Sequence, residues 1–222
     1  MERTEDLLLN GLKIYQDDEL YCFTSDAVLL SKFATVKKGD VVADFCSGSG
    51  IVGIHLYGLN AAKIASVTLF EMQKSLFDLS VKSIRLNGLE NVFCAENVKV
   101  QDIPEKYREK FSLIVANPPY AQLNSGFVTE KRELAVCRAE IELTLEELIG
   151  AAAFSLKFGG RFCMVNRADR LAEICYTLKK YNLEPKRLQL ISGKENKPYL
   201  LLIESVKGGK KGITVYPQKA NL

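Results

Sequence analysis

Histidine is nearly missing from this chain: among 222 residues His55 is the only one. Catalysis or metal binding through a histidine cluster is therefore excluded, and the neighbours Ile51, Ile54 and Leu56 mark His55 as a packing residue. Six cysteines are present, Cys22, Cys46, Cys94, Cys137, Cys163 and Cys175, without any paired metal-type spacing. Several fall inside apolar runs, so they read as reduced core thiols and no metal site is expected. No apolar run approaches the length of a membrane span. The opening Met1-Glu2-Arg3-Thr4-Glu5-Asp6 is too acidic and polar for a secretory leader, which points to the cytoplasm. Repeats and low-complexity linkers are also missing. With 47% hydrophobic residues, the chain can bury the core of one compact unit, and no second domain is required.

The net charge of +3 hides an asymmetry. Residues 1–178 carry 20 Lys/Arg against 24 Asp/Glu, whereas residues 179–222 carry 10 against 3. The cations of the second group are Lys179, Lys180, Lys186, Arg187, Lys194, Lys197, Lys207, Lys210, Lys211 and Lys219. They form either an electrostatic footprint for a phosphate backbone or ordinary solvated charges, and the choice depends on what the rest of the chain does.

Two stretches carry chemistry. Phe111-Ser112-Leu113-Ile114-Val115-Ala116 reads as a buried strand and runs into Asn117-Pro118-Pro119-Tyr120. The prolines fix φ and hold the preceding residues extended, so the Asn117 side chain and the Pro118 carbonyl are presented rigidly. That gives two acceptors for a planar amino group and, in Tyr120, a ring to stack on a base drawn out of its neighbours' stack. An amine conjugated to a ring is a poor nucleophile. Hydrogen bonds from both its N–H groups favour the more pyramidal, more nucleophilic form. None of the four residues titrates near neutral pH, so no strong side-chain base is expected.

Upstream, Val41-Val42-Ala43-Asp44-Phe45 reads as a second buried strand, followed by Cys46-Ser47-Gly48-Ser49-Gly50 and an apolar helical run through Leu59. The glycines permit a tight turn and close backbone approach to a ligand. Twenty-one residues past Gly50, the run Ile64 to Phe70 ends in Glu71, where an acid is placed to accept hydrogen bonds from a ribose diol. The loop lacks a phosphate-cradling lysine and the full dinucleotide spacing, which favours a nucleoside cofactor without phosphates.

Asp44, the Gly48/Gly50 loop, Glu71 and Asn117-Pro118-Pro119-Tyr120 together resemble the class I S-adenosylmethionine-dependent methyltransferases that modify amino nitrogens. Thr24-Ser25-Asp26-Ala27-Val28-Leu29-Leu30, Leu145-Glu146-Glu147-Leu148-Ile149, Glu184-Pro185-Lys186-Arg187-Leu188 and Glu204-Ser205-Val206-Lys207-Gly208-Gly209 are similar to the tRNA1(Val) adenine-N6-methyltransferase family. The resemblance spans nearly the whole chain. It implies methylation of adenine N6 at nucleotide 37 of a valine tRNA, with Asn117, Pro118, Pro119 and Tyr120 catalytic. It assigns S-adenosylmethionine to Asp26, Asp44, Cys46, Ser47, Gly48, Gly50, Glu71, Met72, Asn117 and the pair Glu96 and Asn97. Of that pair, the family's aspartate for the cofactor's adenine amino group matches Asn97, with Glu96 the neighbouring candidate. Ser47 and Ser49 stand where the family has threonine and asparagine, and Ala139 replaces a histidine in Cys137-Arg138-Ala139-Glu140. With an RNA substrate implied, the C-terminal cations favour the footprint reading, centred on Lys207, Lys210 and Lys211.

Strand and helix patterns alternate along the chain. A helix is expected from Gln73 to Asn87, a strand over Val92–Glu96, a mobile segment over residues 121–132, and a helix from the N-cap Thr144 to about Phe158. A strand over Phe162–Asn166, a helix over Asp169–Tyr181 and a hairpin of Lys186–Ser192 with Tyr199–Ser205 follow. The expected fold is α/β: a doubly wound, Rossmann-like, seven-stranded and mostly parallel sheet with an antiparallel strand from the C-terminal hairpin. Residues 1–222 are expected to form one domain, with 1–38 either covering the cofactor through Tyr21, Phe23 and Asp26 or forming a helical lid with purely structural aromatics, 39–206 as core and 207–222 as a basic tail.

Other readings compete. A protein-glutamine methyltransferase also grips a planar amide, but only 40 residues precede Val41, too few for the helical domain such enzymes carry. DNA adenine methylation lacks room for a target-recognition domain. A silent cofactor- and RNA-binding module is the third alternative.

Overall fold

The computed structural model describes residues 1–20, 22, 24–119, 143–193 and 196–221. Tyr21, Phe23, Tyr120, the 121–132 segment, Cys137 to Glu140 and Lys194 lie outside the described residues.

An antiparallel hairpin of β1 (Glu2–Asp6) and β2 (Lys13–Asp17) comes first, then α1 (Ser25–Phe33). Alternating units follow: β3 (Asp40–Phe45), α2 (Ile51–Asn60), β4 (Ile64–Phe70), α3 (Lys74–Leu86), β5 (Phe93–Glu96), β6 (Phe111–Ala116), α4 (Leu145–Ser155), β7 (Leu156–Arg167) and α5 (Leu171–Lys180). β8 (Leu183–Ser192), β9 (Pro198–Lys207), β10 (Thr214–Val215) and β11 (Lys219–Ala220) end the chain.

Seven long strands lie in the order β8-β9-β7-β6-β3-β4-β5, with β9 antiparallel to both neighbours and the other contacts parallel. The apolar runs are continuous because helices cover both faces, and every residue of β6 is buried. One face sets Val42, Val67, Leu113 and Val115 against α1, α2 and α3. The other sets Ala43, Phe45, Phe70 and Ile114 against α4 and α5. Each aromatic buried there contributes roughly 2–3 kcal/mol, and Phe70 meets Phe45 and Phe111 edge to face at 5.4 and 5.9 Å. Among the described residues no helix is long and apolar enough to cross a membrane.

At the amino ends of the parallel strands, Arg161 is 4% exposed and its Nη2 donates to Asp40 Oδ1 at 2.6 Å. The Ser112 hydroxyl donates to the same oxygen at 2.7 Å. A buried guanidinium is thus matched by a buried carboxylate.

Three features depart from the sequence expectation. Helix α4 ends at Ser155, because Leu156 turns extended and pairs with Phe111, and Gly159 at φ +75° reverses the chain into β7. β8 begins at Leu183 rather than after Pro185, since a bulge between Pro185 and Arg187 accommodates the proline. The basic tail is itself paired: β10 and β11 add in parallel to β8, interrupted at Pro217, so the sheet counts nine strands among the described residues. Lys207 Nζ donates to Glu109 Oε1 at 3.1 Å, and Lys186 Nζ to the carbonyls of Lys210 and Gly212. These lysines therefore cluster at the amino ends of the parallel strands.

Candidate functional site

Strand register builds the site. Phe45 pairs with both Phe70 and Ala116, and Phe70 pairs with Glu96. The next residue on each strand is therefore Asn117, Cys46, Glu71 or Asn97, a row across four adjacent carboxyl ends, stepped by about 4.8 Å. Four sequence-predicted positions from four separate segments meet along one crevice.

The turn after β3 is left-handed at three positions, Cys46 at φ 58°, Gly48 at 55° and Gly50 at 91°. Glycine is required at Gly50 twice over, because a Cβ there would also approach Leu69 at 3.0 Å. A Cβ at Gly48 would meet nothing within 4 Å, so this turn faces open space. Hydrogen bonds fix it: Ser47 N–H to the Phe70 carbonyl at 3.0 Å and Gly50 N–H to the Ser47 carbonyl at 2.8 Å. Glu71 ties the loops together. Its Oε2 accepts from Gly48 N–H at 2.9 Å and its Oε1 from Gln73 N–H at 2.8 Å. Each oxygen keeps a further lone pair. Burial raises the Glu71 pKa against the pull of those amides.

Asp44 is fully buried. Its Oδ2 accepts from Gly53 N–H at 2.8 Å, while Oδ1 has no hydrogen-bond partner among the described residues. Burial, with the charge of Glu71 added, pushes its pKa up to about 8. The Ser47 hydroxyl is likewise buried without a partner among the described residues. Burial also raises the Cys46 thiol well above its ordinary range, so it is no nucleophile. Orphaned polar atoms at Asp44 and Ser47 beside an open glycine turn fit a polar nucleoside ligand.

At the far end of the row, Asn97 Nδ2 donates to the carbonyls of Glu71 and Met72 at 2.8 and 3.0 Å, which leaves Oδ1 as an uncommitted acceptor. Half-buried Met72 enters through its backbone. Glu96 is engaged elsewhere, accepting from Lys106 and the Tyr107 hydroxyl. Partial burial raises its pKa, but those two donors outweigh it and hold it low. The Tyr107 hydroxyl is pushed up to about 12 by burial and by Glu96.

At the other end Asn117 is half-buried, Pro118 buried and Pro119 exposed. Beside the prolines opens a cleft of about 540 Å³, walled by Leu145, Leu148, Asn166, Tyr176 and Thr177. Asp26 is buried in the first turn of α1.

Sequence reasoning missed Gln16. It is 1% exposed at the end of β2, and its Nε2 donates to Ser49 Oγ at 3.3 Å, which ties the N-terminal hairpin to the glycine turn. The signal was the alternation Ile14-Tyr15-Gln16, which places the glutamine on the same side as a core isoleucine. His55 is buried with Nδ1 2.7 Å from Ser31 Oγ, and burial lowers its pKa. Among the described residues, no group of three His, Cys, Asp or Glu is placed to hold a metal ion.

Residues 23–174 match the family model described as methyltransferase small domain. A tRNA1(Val) (adenine(37)-N6)-methyltransferase of Christiangramia forsetii is 24% identical over 177 residues, 78% of this chain and 72% of that protein. A release factor glutamine methyltransferase of Leptospira interrogans is 30% identical over 148 residues, 61% of this chain and 50% of that protein. Among solved structures, M. jannaschii TYW2 in complex with AdoMet superposes with a TM-score of 0.63 at 13% identity, covering 92% of this chain and 84% of that one.

Proposed function

This chain belongs to the methyltransferase small domain family, and we propose that it methylates the exocyclic N6 of an adenine in tRNA, adenosine 37 of a valine tRNA. The coarser activity, S-adenosylmethionine-dependent methyl transfer, goes with the family; the base and the RNA are the proposal. One observation supports it above the others: the register that sets Asn117 beside Cys46 puts an amine-gripping tip one strand from the glycine turn.

S-adenosylmethionine supplies an electrophilic methyl group on a sulfonium. Glu71 holds its ribose diol through the lone pairs left over from Gly48 and Gln73. Asn97 Oδ1 accepts from its adenine amino group, and Asp44 and Ser47 find partners for their orphaned oxygens. The N-terminal hairpin contributes Gln16, bonded to Ser49 of the glycine turn. The Asn117 side-chain oxygen and the Pro118 carbonyl accept the two N–H groups of the target amine, orienting its lone pair. Pro118 is buried and its ring fixes φ, which supports a carbonyl held in place before substrate arrives.

The test is transfer from labelled S-adenosylmethionine to total tRNA followed by nucleoside analysis, with N6-methyladenosine expected. Asn117→Ala should lower kcat about 10²–10³-fold, far more than it weakens donor binding. The glutamine methyltransferase match supports a second reading, in which the same tip holds a side-chain amide. Label appearing on release-factor protein and not on RNA would replace the first reading by the second.

A further inference from the structure

We propose that a pocket on the α1 flank of the sheet grips one backbone phosphate of the RNA substrate, a few nucleotides from the target base. The proposal rests on the RNA reading above. The pocket, of about 160 Å³, is lined by Lys32, Phe33, Arg187, Gln189, Tyr216 and Lys219, together with two leucines. That volume suits a tetrahedral oxyanion rather than a whole nucleotide, and no carboxylate lines it.

Its floor is rigid. The Arg187 guanidinium lies against the rings of Phe33 and Tyr216, at 4.5 and 5.2 Å from their centres, and those rings meet each other edge to face. Nη1 donates to the Phe33 carbonyl at 2.9 Å and reaches Glu204 Oε1 at 3.3 Å, and Nε donates to the Tyr216 hydroxyl at 3.2 Å. Nη2 keeps no partner among the described residues. Glu204 balances the charge of Arg187, so the unmatched cations are Lys32 and Lys219, exposed and in no ion pair among the described residues. Lys179, Lys180 and Lys207 are by contrast each matched to a carboxylate. Two uncompensated positive charges converging on a small concave surface form an anion site.

The height is right. Leu202 pairs with Val165, the residue after Met164, and Met164 pairs with Ala116. The pocket's wall at Leu202 is therefore level with Asn117 and two strands away, about 10 Å at the usual strand spacing. Lys210 and Lys211 sit at the opposite end of the same sheet.

The experiment is a salt titration of tRNA binding by the full chain and by Lys32→Glu/Lys219→Glu. Affinity is expected to fall about tenfold or more at low salt, and the slope of log K against log salt to shrink by about one, the loss of a single phosphate contact. Unchanged affinity and slope would overturn the pocket, as would an equal loss from Lys210→Glu/Lys211→Glu, which would mean that only total charge counts. Melting temperature and donor affinity measured alongside should stay at wild-type values. If the swap does not fold, Lys32→Ala/Lys219→Ala serves the same comparison. Wild-type formation of N6-methyladenosine in tRNA, with normal binding by the swap, sinks the pocket alone; wild-type failure to bind and methylate any RNA sinks both proposals.

Discussion

One strand carries two buried aspartates with opposite fates. Asp40 opens β3 at the amino end of the sheet, 3% exposed, with the Arg161 guanidinium and the Ser112 hydroxyl both on its Oδ1. Asp44 lies four residues on at the carboxyl end, also buried, with one backbone amide on Oδ2 and, among the described residues, nothing on Oδ1. The amino end of the sheet pairs carboxylate with guanidinium, although two Arg161 donors stay without partners among the described residues, while the carboxyl end leaves a carboxylate oxygen and a hydroxyl unanswered beside an open turn. Unspent hydrogen-bonding capacity in a folded protein is costly, and it persists where a ligand completes it.

The largest expected loss comes from breaking the answered end. Asp40→Ala strands a buried guanidinium that already has two donors, Nε and Nη1, without partners. Removing one member of such a pair costs about 3–5 kcal/mol, visible as a lower urea midpoint. Asp40→Ala/Arg161→Met should recover most of that loss, since an apolar pair of similar size needs no neutralisation. Donor affinity of the folded fraction should not move. A single substitution costing under 1 kcal/mol would mean that the amino end is not held by this pair.

Asp44→Asn is the converse, a change that trades function for stability. Burial raises the folded-state pKa from an ordinary 3.8 to about 8, so the native protein holds a proton that the unfolded chain releases. Stability from this group is complete below the unfolded value and is lost progressively as pH rises from about 4 toward about 8. Asparagine keeps an acceptor for Gly53 N–H and does not titrate. The variant should therefore match wild-type stability at pH 4 and exceed it at pH 8, by on the order of 5 kcal/mol. Isothermal titration should record weakened binding of S-adenosylmethionine. A variant less stable than wild type at pH 8 would show that Asp44 is ionised and satisfied after all, and the contrast between the two ends would dissolve.

Much of the carboxyl end was legible in the sequence because its signals are local. Ile64–Phe70 and Phe111–Ala116 are strands over the expected residues, and an unbroken apolar run ending in a polar residue announces both the strand and its tip. The Asn87-Gly88 stop of α3 appears with Gly88 at φ +63°. What stayed hidden depends on pairing between distant segments. Nothing in Asp40, Ser112 and Arg161 taken singly reveals that three strand ends bring them together. The N-terminal hairpin is fastened by Lys13 N–H to Asn87 and Tyr15 N–H to Ser83, 74 and 68 residues away, and its alternation is confined to the short run around Ile14-Tyr15-Gln16. The tail looked like a run of charge, although Tyr216 and Asn221 give their amides to Leu188 and Ser192. In each case backbone pairing, which composition does not encode, decides the outcome. The engagement of Glu96 by Lys106 and Tyr107, which underlies the proposal of Asn97 for the cofactor's adenine, was equally hidden in the sequence.

Thr144 separates position from satisfaction, the two explanations for why the ends differ. It caps α4 next to the prolines at the carboxyl end, yet its bonds are all made: Glu147 N–H donates to its hydroxyl at 3.2 Å, and Glu147 Oε2 accepts from its own N–H at 2.7 Å. If unanswered groups are what mark the ligand site, a satisfied residue there should behave like structure. Thr144→Ala should then cost about 1 kcal/mol, a drop of a few degrees in melting temperature, with donor affinity kept. Thr144→Ser, which preserves the capping oxygen, should restore most of the loss. Donor binding that weakened with the alanine and returned with the serine would tie the cap to the crevice, and place at the carboxyl end would matter more than hydrogen bonds left open.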